Sequence, residues 1–170
     1  MDFEHIVIVN DPRSPDVPVI PRQEVADALA LLVLRPQIFD EGLDGAEIDF
    51  LAPGQVRRET RRGQIIVRER LLFSAMGAGF EQIVEAPEAL AGASKLVSLE
   101  EPAPGVLLLR FRYKSAATAD APDISADERA ALQSAYLGAD RDFVSTVREL
   151  HEHGALETLI ALHAPPGMAL

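Results

Sequence analysis

The chain has 170 residues, a net charge of -11 and no cysteine, with 48% hydrophobic and 25% charged residues. That supplies the core of one domain, while the missing cysteine excludes disulfides, thiolate nucleophiles and cysteine-held zinc. The acidic balance repels a phosphate backbone, so no nucleic-acid partner is expected.

The opening residues, MDFEHIVIVNDP, lack the basic start and long apolar run of a signal peptide. The longest apolar run, Ala28 to Leu34, is far short of the roughly 20 residues that cross a bilayer. No membrane span and a cytoplasmic location are therefore expected. Phe3 to Asn10 alternates and is β-branched, which predicts a strand with Phe3, His5, Val7 and Val9 on one face. Asn10, Asp11 and Pro12 stop it. Pro21 suits the first turn of a helix that runs to Arg35 and buries Val25, Ala28, Leu29, Leu32 and Val33; Pro36 ends it. A second short helical turn is expected over residues 37–41.

From Ala46 to Lys114 the pattern is an antiparallel meander. Strands are expected at Ala46–Ala52, Gln55–Arg61, Gln64–Phe73, Phe80–Glu85, Lys95–Glu100 and Val106–Lys114, separated by glycine- and proline-marked turns, one of them at Gly77 with Gly79. Residues 115–124 form a small-residue linker. Ser125 to Gly154 then reads as one long helix. Ser125 and Glu128 make a capping box, Gly154 suits the left-handed stop, and Leu132, Ala135, Tyr136, Ala139, Phe143, Val147 and Leu150 form an apolar stripe. The rest is a helical turn followed by a flexible end. The fold class is thus α+β: a curved antiparallel sheet of about seven strands wrapped on a long C-terminal helix, with two short helices after the first strand. This helix-grip arrangement leaves a cavity suited to a small apolar ligand.

Strand Gln64–Phe73 carries the clearest chemical signal. Its more apolar face, with Ile65, Val67, Leu71 and Phe73, brings Glu69 inward. A buried carboxylate needs a partner. If Arg62-Gly63 is the two-residue turn, Arg58 faces the same way, diagonal to Glu69. The Coulomb term, of order 4 kcal/mol in a partly wet site, favours a charged pair. Such a pair orients a carbonyl or enol, with Glu69 as general base, or simply pins two strands. Tyr136 and Asp140 lie four apart on the long helix, so they share a surface; Tyr136 offers a hydroxyl to the cavity or to a core partner. Tyr113 alternates with Phe111 and Leu109 on the last strand. The expected site is therefore Glu69, Arg58 and Tyr136 as catalytic groups, with Val67, Leu71, Phe73, Leu109, Phe111, Tyr113, Tyr136, Asp140 and Phe143 lining the ligand. His5 reads as a cavity group or as a structural histidine. No metal-ligand spacing, nucleotide fingerprint or Gly-x-Ser-x-Gly elbow occurs, so no cofactor and no metal are expected.

The segments FEHIVIVNDP, RPQIFDEGLD, RRETRRGQIIVRERLLF, EEPAPGVLLLRFRY and SAYLGADRDFVSTVREL together resemble the AtaL-like family, a branch of the START-like (SRPBCC) superfamily. The resemblance covers about residues 2–156. It implies a helix-grip ligand-binding domain over residues 1–156, with a C-terminal tail over residues 157–170, and a link to secondary metabolism. The family's charged hairpin matches Arg58, Glu59, Arg68, Glu69 and Arg70, and its helix motif matches Ala135, Tyr136, Asp140 and Asp142. Arg62 departs from the usual aromatic, and Pro21 from the usual capping threonine or serine. The expected function is binding of a hydrophobic small molecule, lipid-, polyketide- or aromatic-metabolite-like. The alternative is a cofactor-independent cyclase, dehydratase or isomerase using the same cavity. A third reading is an assembly partner with an exposed apolar surface; a homodimer is compatible with all three.

Overall fold

In a computed structural model the chain is described over residues 2–74, 78–116 and 125–163. The elements run β1 (Asp2–Asn10), α1 (Arg22–Leu34), a one-turn 3-10 segment (Pro36–Ile38), β2 (Gly45–Ala52), β3 (Gln55–Arg62), β4 (Ile65–Phe73), β5 (Gly79–Ala86), β6 (Ser94–Ala103), β7 (Val106–Lys114), α2 (Ala126–Glu152) and α3 (Ala155–His163). A further 3-10 turn, Glu88–Leu90, sits between β5 and β6. The expected turn at Gly77 and most of the linker, residues 117–124, lie outside the described residues.

All seven strands form one antiparallel sheet in the order β1-β7-β6-β5-β4-β3-β2. β1 and β2 are the two edges, so the connection that carries α1 links one edge to the other. The alternation expected in β1 holds: Phe3, His5, Val7 and Val9 turn inward, while Ile6 and Ile8 are exposed. Asn10 closes the proline-rich loop after β1. Its amide nitrogen donates to the Ile20 carbonyl at 2.8 Å and its oxygen accepts from the Ile20 N–H at 3.0 Å.

The β3–β4 turn differs from expectation. Arg62 pairs with Ile65, so the two loop residues are Gly63 and Gln64 rather than Arg62 and Gly63. Gly63 takes the left-handed φ of 57°, which favours glycine at the first loop position of a tight hairpin. Both strands shift by one residue, so side-chain parity is unchanged. Arg58 still faces inward, now directly opposite Glu69 rather than diagonal to it. At the start of β5, Gly79 has φ 146°, and a Cβ there would lie 1.9 Å from the Val97 carbonyl oxygen. The backbone of β6 runs too close for any side chain.

α1 is buried almost all round, from Val25 to Leu34. A helix apolar on every side needs two partners, and α3 is the second. The expected helical turn and flexible end are replaced, as far as His163, by a nine-residue helix packed on α1 and α2, with Leu156 1% exposed. Residues 164–170 lie outside the described residues.

The long helix keeps its capping box and ends with Gly154 at φ 64°. Its stripe is only half covered. Phe143, Val144 and Val147 are buried, but Leu132, Ala135 and Ala139 are exposed. The C-terminal half of α2 therefore carries the packing. Arg148 anchors it, donating to the carbonyls of Val9 at 2.6 Å and Pro18 at 2.9 Å. His151 meets Glu24 of α1 at 2.7 Å. No described helix is long and apolar enough to cross a membrane.

Candidate functional site

A pocket of about 430 Å³ opens between the inner face of the sheet, the end of α1 and the middle of α2. Its apolar wall comes from Leu32, Pro36, Phe39, Leu43, Phe80, Ala139 and Phe143. Its polar wall comes from Asp40, Arg58, Thr60, Glu69, Gln82, Lys95, Asp140 and Asp142. The lining is thus mixed, and more polar than a cavity for an oily guest requires.

Arg58 and Glu69 form one side. Both are nearly buried. Nε of Arg58 donates to Glu69 Oε2 at 2.8 Å, and Nη2 lies 2.7 Å from the same oxygen as an ion pair. Nη1 donates to the carbonyls of Leu32 at 2.9 Å and Val33 at 3.2 Å. Those carbonyls belong to the last turn of α1, which has no intrahelical donor for them, and the cation sits at the negative helix end. The other oxygen of Glu69, Oε1, accepts from Gln82 Nε2. Arg58 therefore ties α1 to β3 and β4 while lining the pocket, and most of the pair's hydrogen-bonding capacity is already used.

The opposite side is a cluster centred on Asp140, which is 2% exposed. Its Oδ1 accepts from Lys95 Nζ at 2.7 Å, and its Oδ2 accepts from the Tyr113 hydroxyl at 2.7 Å. Burial, and then the Asp140 carboxylate, push the Tyr113 hydroxyl well above the usual phenol range. The Lys95 ammonium lies 5.0 Å from the centre of the Phe111 ring and 5.2 Å from that of Tyr113, within cation–π reach. His5 Nε2 is 3.0 Å from Asp140 Oδ2 but off the line a hydrogen bond needs, so neither buried ring nitrogen makes a hydrogen bond among the described residues. Burial holds His5 below the usual imidazole range, against the pull of Asp140.

The sheet register explains how these groups meet. Phe3, Tyr113, Lys95 and Gln82 are successive cross-strand neighbours on β1, β7, β6 and β5, so they form one row on the inner face. The next row holds His5, Phe111, Val97 and Phe80. Asp140 descends onto both rows from α2.

The expected site residues divide accordingly. Arg58, Glu69, Asp140 and Phe143 line the pocket. Leu71, Leu109 and Phe111 are completely buried in the core, so their role is packing rather than lining. Val67, Phe73 and Tyr113 are not among the lining residues. Neither is Tyr136, whose ring stacks on Tyr113 at 4.2 Å. Lys95 and Gln82 were not expected. Lys95 carried the signal that singled out Glu69, a charge in the apolar phase of a strand beside Val97 and Leu99. Among the described residues no group of histidine and carboxylate side chains has the arrangement of a metal site.

Sheet topology and the long C-terminal helix together define a helix-grip protein of the START-like (SRPBCC) class. Residues 7–154 match the family model described as acetylaranotin biosynthesis cluster protein L, and the chain belongs to that family. Solved structures of the same fold include Zhui aromatase/cyclase from Streptomyces sp. R1128, 20% identical, with 99% of each chain covered and a TM-score of 0.54. The di-domain ARO/CYC StfQ from the steffimycin biosynthetic pathway is 13% identical with a TM-score of 0.65; the match covers 91% of this chain and 51% of that one. Ara h 8.0201 is 13% identical, with 86% and 97% covered and a TM-score of 0.54. At these identities the likeness is one of fold. No curated protein matches the chain.

Proposed function

We propose that the chain binds a small, largely apolar organic molecule in the pocket between the sheet and α2. The observation that carries this reading is the pocket itself: about 430 Å³, with Phe39, Phe80 and Phe143 on its walls and Glu69, Gln82, Lys95 and Asp140 converging on it. That volume lies in the range of small-molecule sites and suits an aromatic or polyketide-like body better than a two-chain lipid. The test is native mass spectrometry of protein purified from its own host. A co-purified molecule of a few hundred daltons, released on denaturation, is the expected result. Consistently empty protein that also fails to take up aromatic metabolites would contradict it.

A second reading, a cofactor-independent biosynthetic enzyme, draws support from the hydrogen-bonded Lys95–Asp140–Tyr113 group at the pocket. The aromatase/cyclases that share the fold point the same way. Acid–base chemistry needs groups held in place before substrate arrives, and this cluster is so held. Glu69 fits a base less well, because Arg58 and Gln82 already occupy its oxygens.

A further inference from the structure

Lys95 is a pocket cation with donors to spare. An ammonium has three N–H donors. Among the described residues Lys95 makes one hydrogen bond, to Asp140 Oδ1 at 2.7 Å, and rests over the rings of Phe111 and Tyr113. Arg58, by contrast, is engaged by Glu69 and two carbonyls. Lys95 is held from below by a carboxylate that is 2% exposed, yet it reaches the pocket.

The charge around it is already negative on balance. The lining holds two cations, Arg58 and Lys95, against four carboxylates, Asp40, Glu69, Asp140 and Asp142. An anionic guest would meet net repulsion, whereas a neutral guest with a strong acceptor would not. Resting on the ligand-binding reading above, we infer that Lys95 is the specificity group of this pocket. It donates to a carbonyl or phenolic oxygen of a neutral aromatic or β-dicarbonyl ligand, whose apolar body lies against Phe80 and Phe143. Asp140 is a positioning residue: it fixes the ammonium and cancels its charge, so that recognition selects oxygen acceptors rather than anions.

Calorimetric titration with three naphthalenes tests this: 2-acetylnaphthalene, the hydrocarbon 2-isopropylnaphthalene of similar shape, and 2-naphthoate. Each is measured on the wild type and on a Lys95→Met/Asp140→Asn double variant, which removes both charges together. A hydrogen bond from a charged donor changes affinity by about 10- to 100-fold. The ketone-to-hydrocarbon affinity ratio should therefore be at least about tenfold larger in the wild type than in the double variant, with naphthoate weaker than the ketone. Equal ratios in the two proteins would overturn the role of Lys95 while leaving the ligand site standing. Naphthoate binding tighter than the ketone would overturn the preference for a neutral guest, and no binding of any probe would overturn both the inference and the reading beneath it. Should the double variant fail to fold, the side-chain ¹⁵N resonance of Lys95 in the wild type decides. It should move and saturate with the ketone and not with the hydrocarbon; equal response to both, or to neither, overturns the assignment.

Discussion

Among the described residues, His5 is the one whose buried polar atoms go without a hydrogen bond. Both ring nitrogens are buried without a hydrogen bond, and the ring is stacked 5.2 Å from Phe111. Charging it in the fold means placing a cation beside Asp140, which helps, but also near Lys95 and Arg141 and out of water, which costs more. Its pKa is therefore lower in the folded than in the unfolded chain, where the ordinary value is about 6.5. The unfolded state takes up the proton first, so stability is fully present above that value and falls as pH drops through the folded pKa. The carboxylates Glu4 and Glu100 act at lower pH. Arg112 and then Arg110 hold Glu4 below the usual carboxylate range, and Arg110 does the same for Glu100. Urea midpoints measured from pH 7 down to pH 5 should thus decline in the wild type and stay flatter in His5→Phe, which keeps the stack without the titrating nitrogens. Parallel declines would mean that His5 is solvated or paired in the fold.

Between elements, the decisive joint is the one Arg58 makes. It holds a strand pair and a helix terminus at once, so its loss leaves Glu69 with only the Gln82 donor and no countercharge, and two α1 carbonyls without the guanidinium. Arg58→Met should cost about 3–5 kcal/mol in urea denaturation, the usual penalty for stranding a buried charge. Arg58→Lys should recover little, because an ammonium cannot span the carboxylate and two carbonyls as a planar fork does. A loss below about 1 kcal/mol for Arg58→Met would instead mark a water-bridged surface pair. This joint was half legible in the sequence. Strand alternation put Arg58 and Glu69 on the inner face, and the one-residue misplacement of the turn kept that parity. Nothing local to strand β3 announced that the guanidinium would reach α1. The apolar stripe on α2 extends further in the sequence than its packing does in the fold, for a similar reason. Periodicity shows which side of a helix is apolar, but not where its neighbour stops, and Leu132 and Ala139 are left exposed. The sequence of α3, ALETLIALH, is too short to announce a packed helix, and only the second apolar flank of α1 reveals what it covers.

Across the whole molecule, the topology brings residues from β5, β6 and α2 to one side of the pocket, backed by His5 of β1 and Tyr113 of β7, and from α1, β3 and β4 to the other. That convergence was the part least visible in the sequence. Lys95, Tyr113 and Asp140 lie 18 and 27 residues apart in turn, and no short motif records their meeting. The order of elements was visible, because turn residues and the capping box punctuate it, and the order defines the grip. What the grip holds can be mapped directly. Uniformly ¹⁵N-labelled protein titrated with 2-acetylnaphthalene should show saturable amide shifts gathered around Leu32, Gln82, Lys95, Asp140 and Phe143. Shifts that never saturate, or that collect on the outer face of the sheet around Arg68 and Arg112, would contradict a ligand site between sheet and helix.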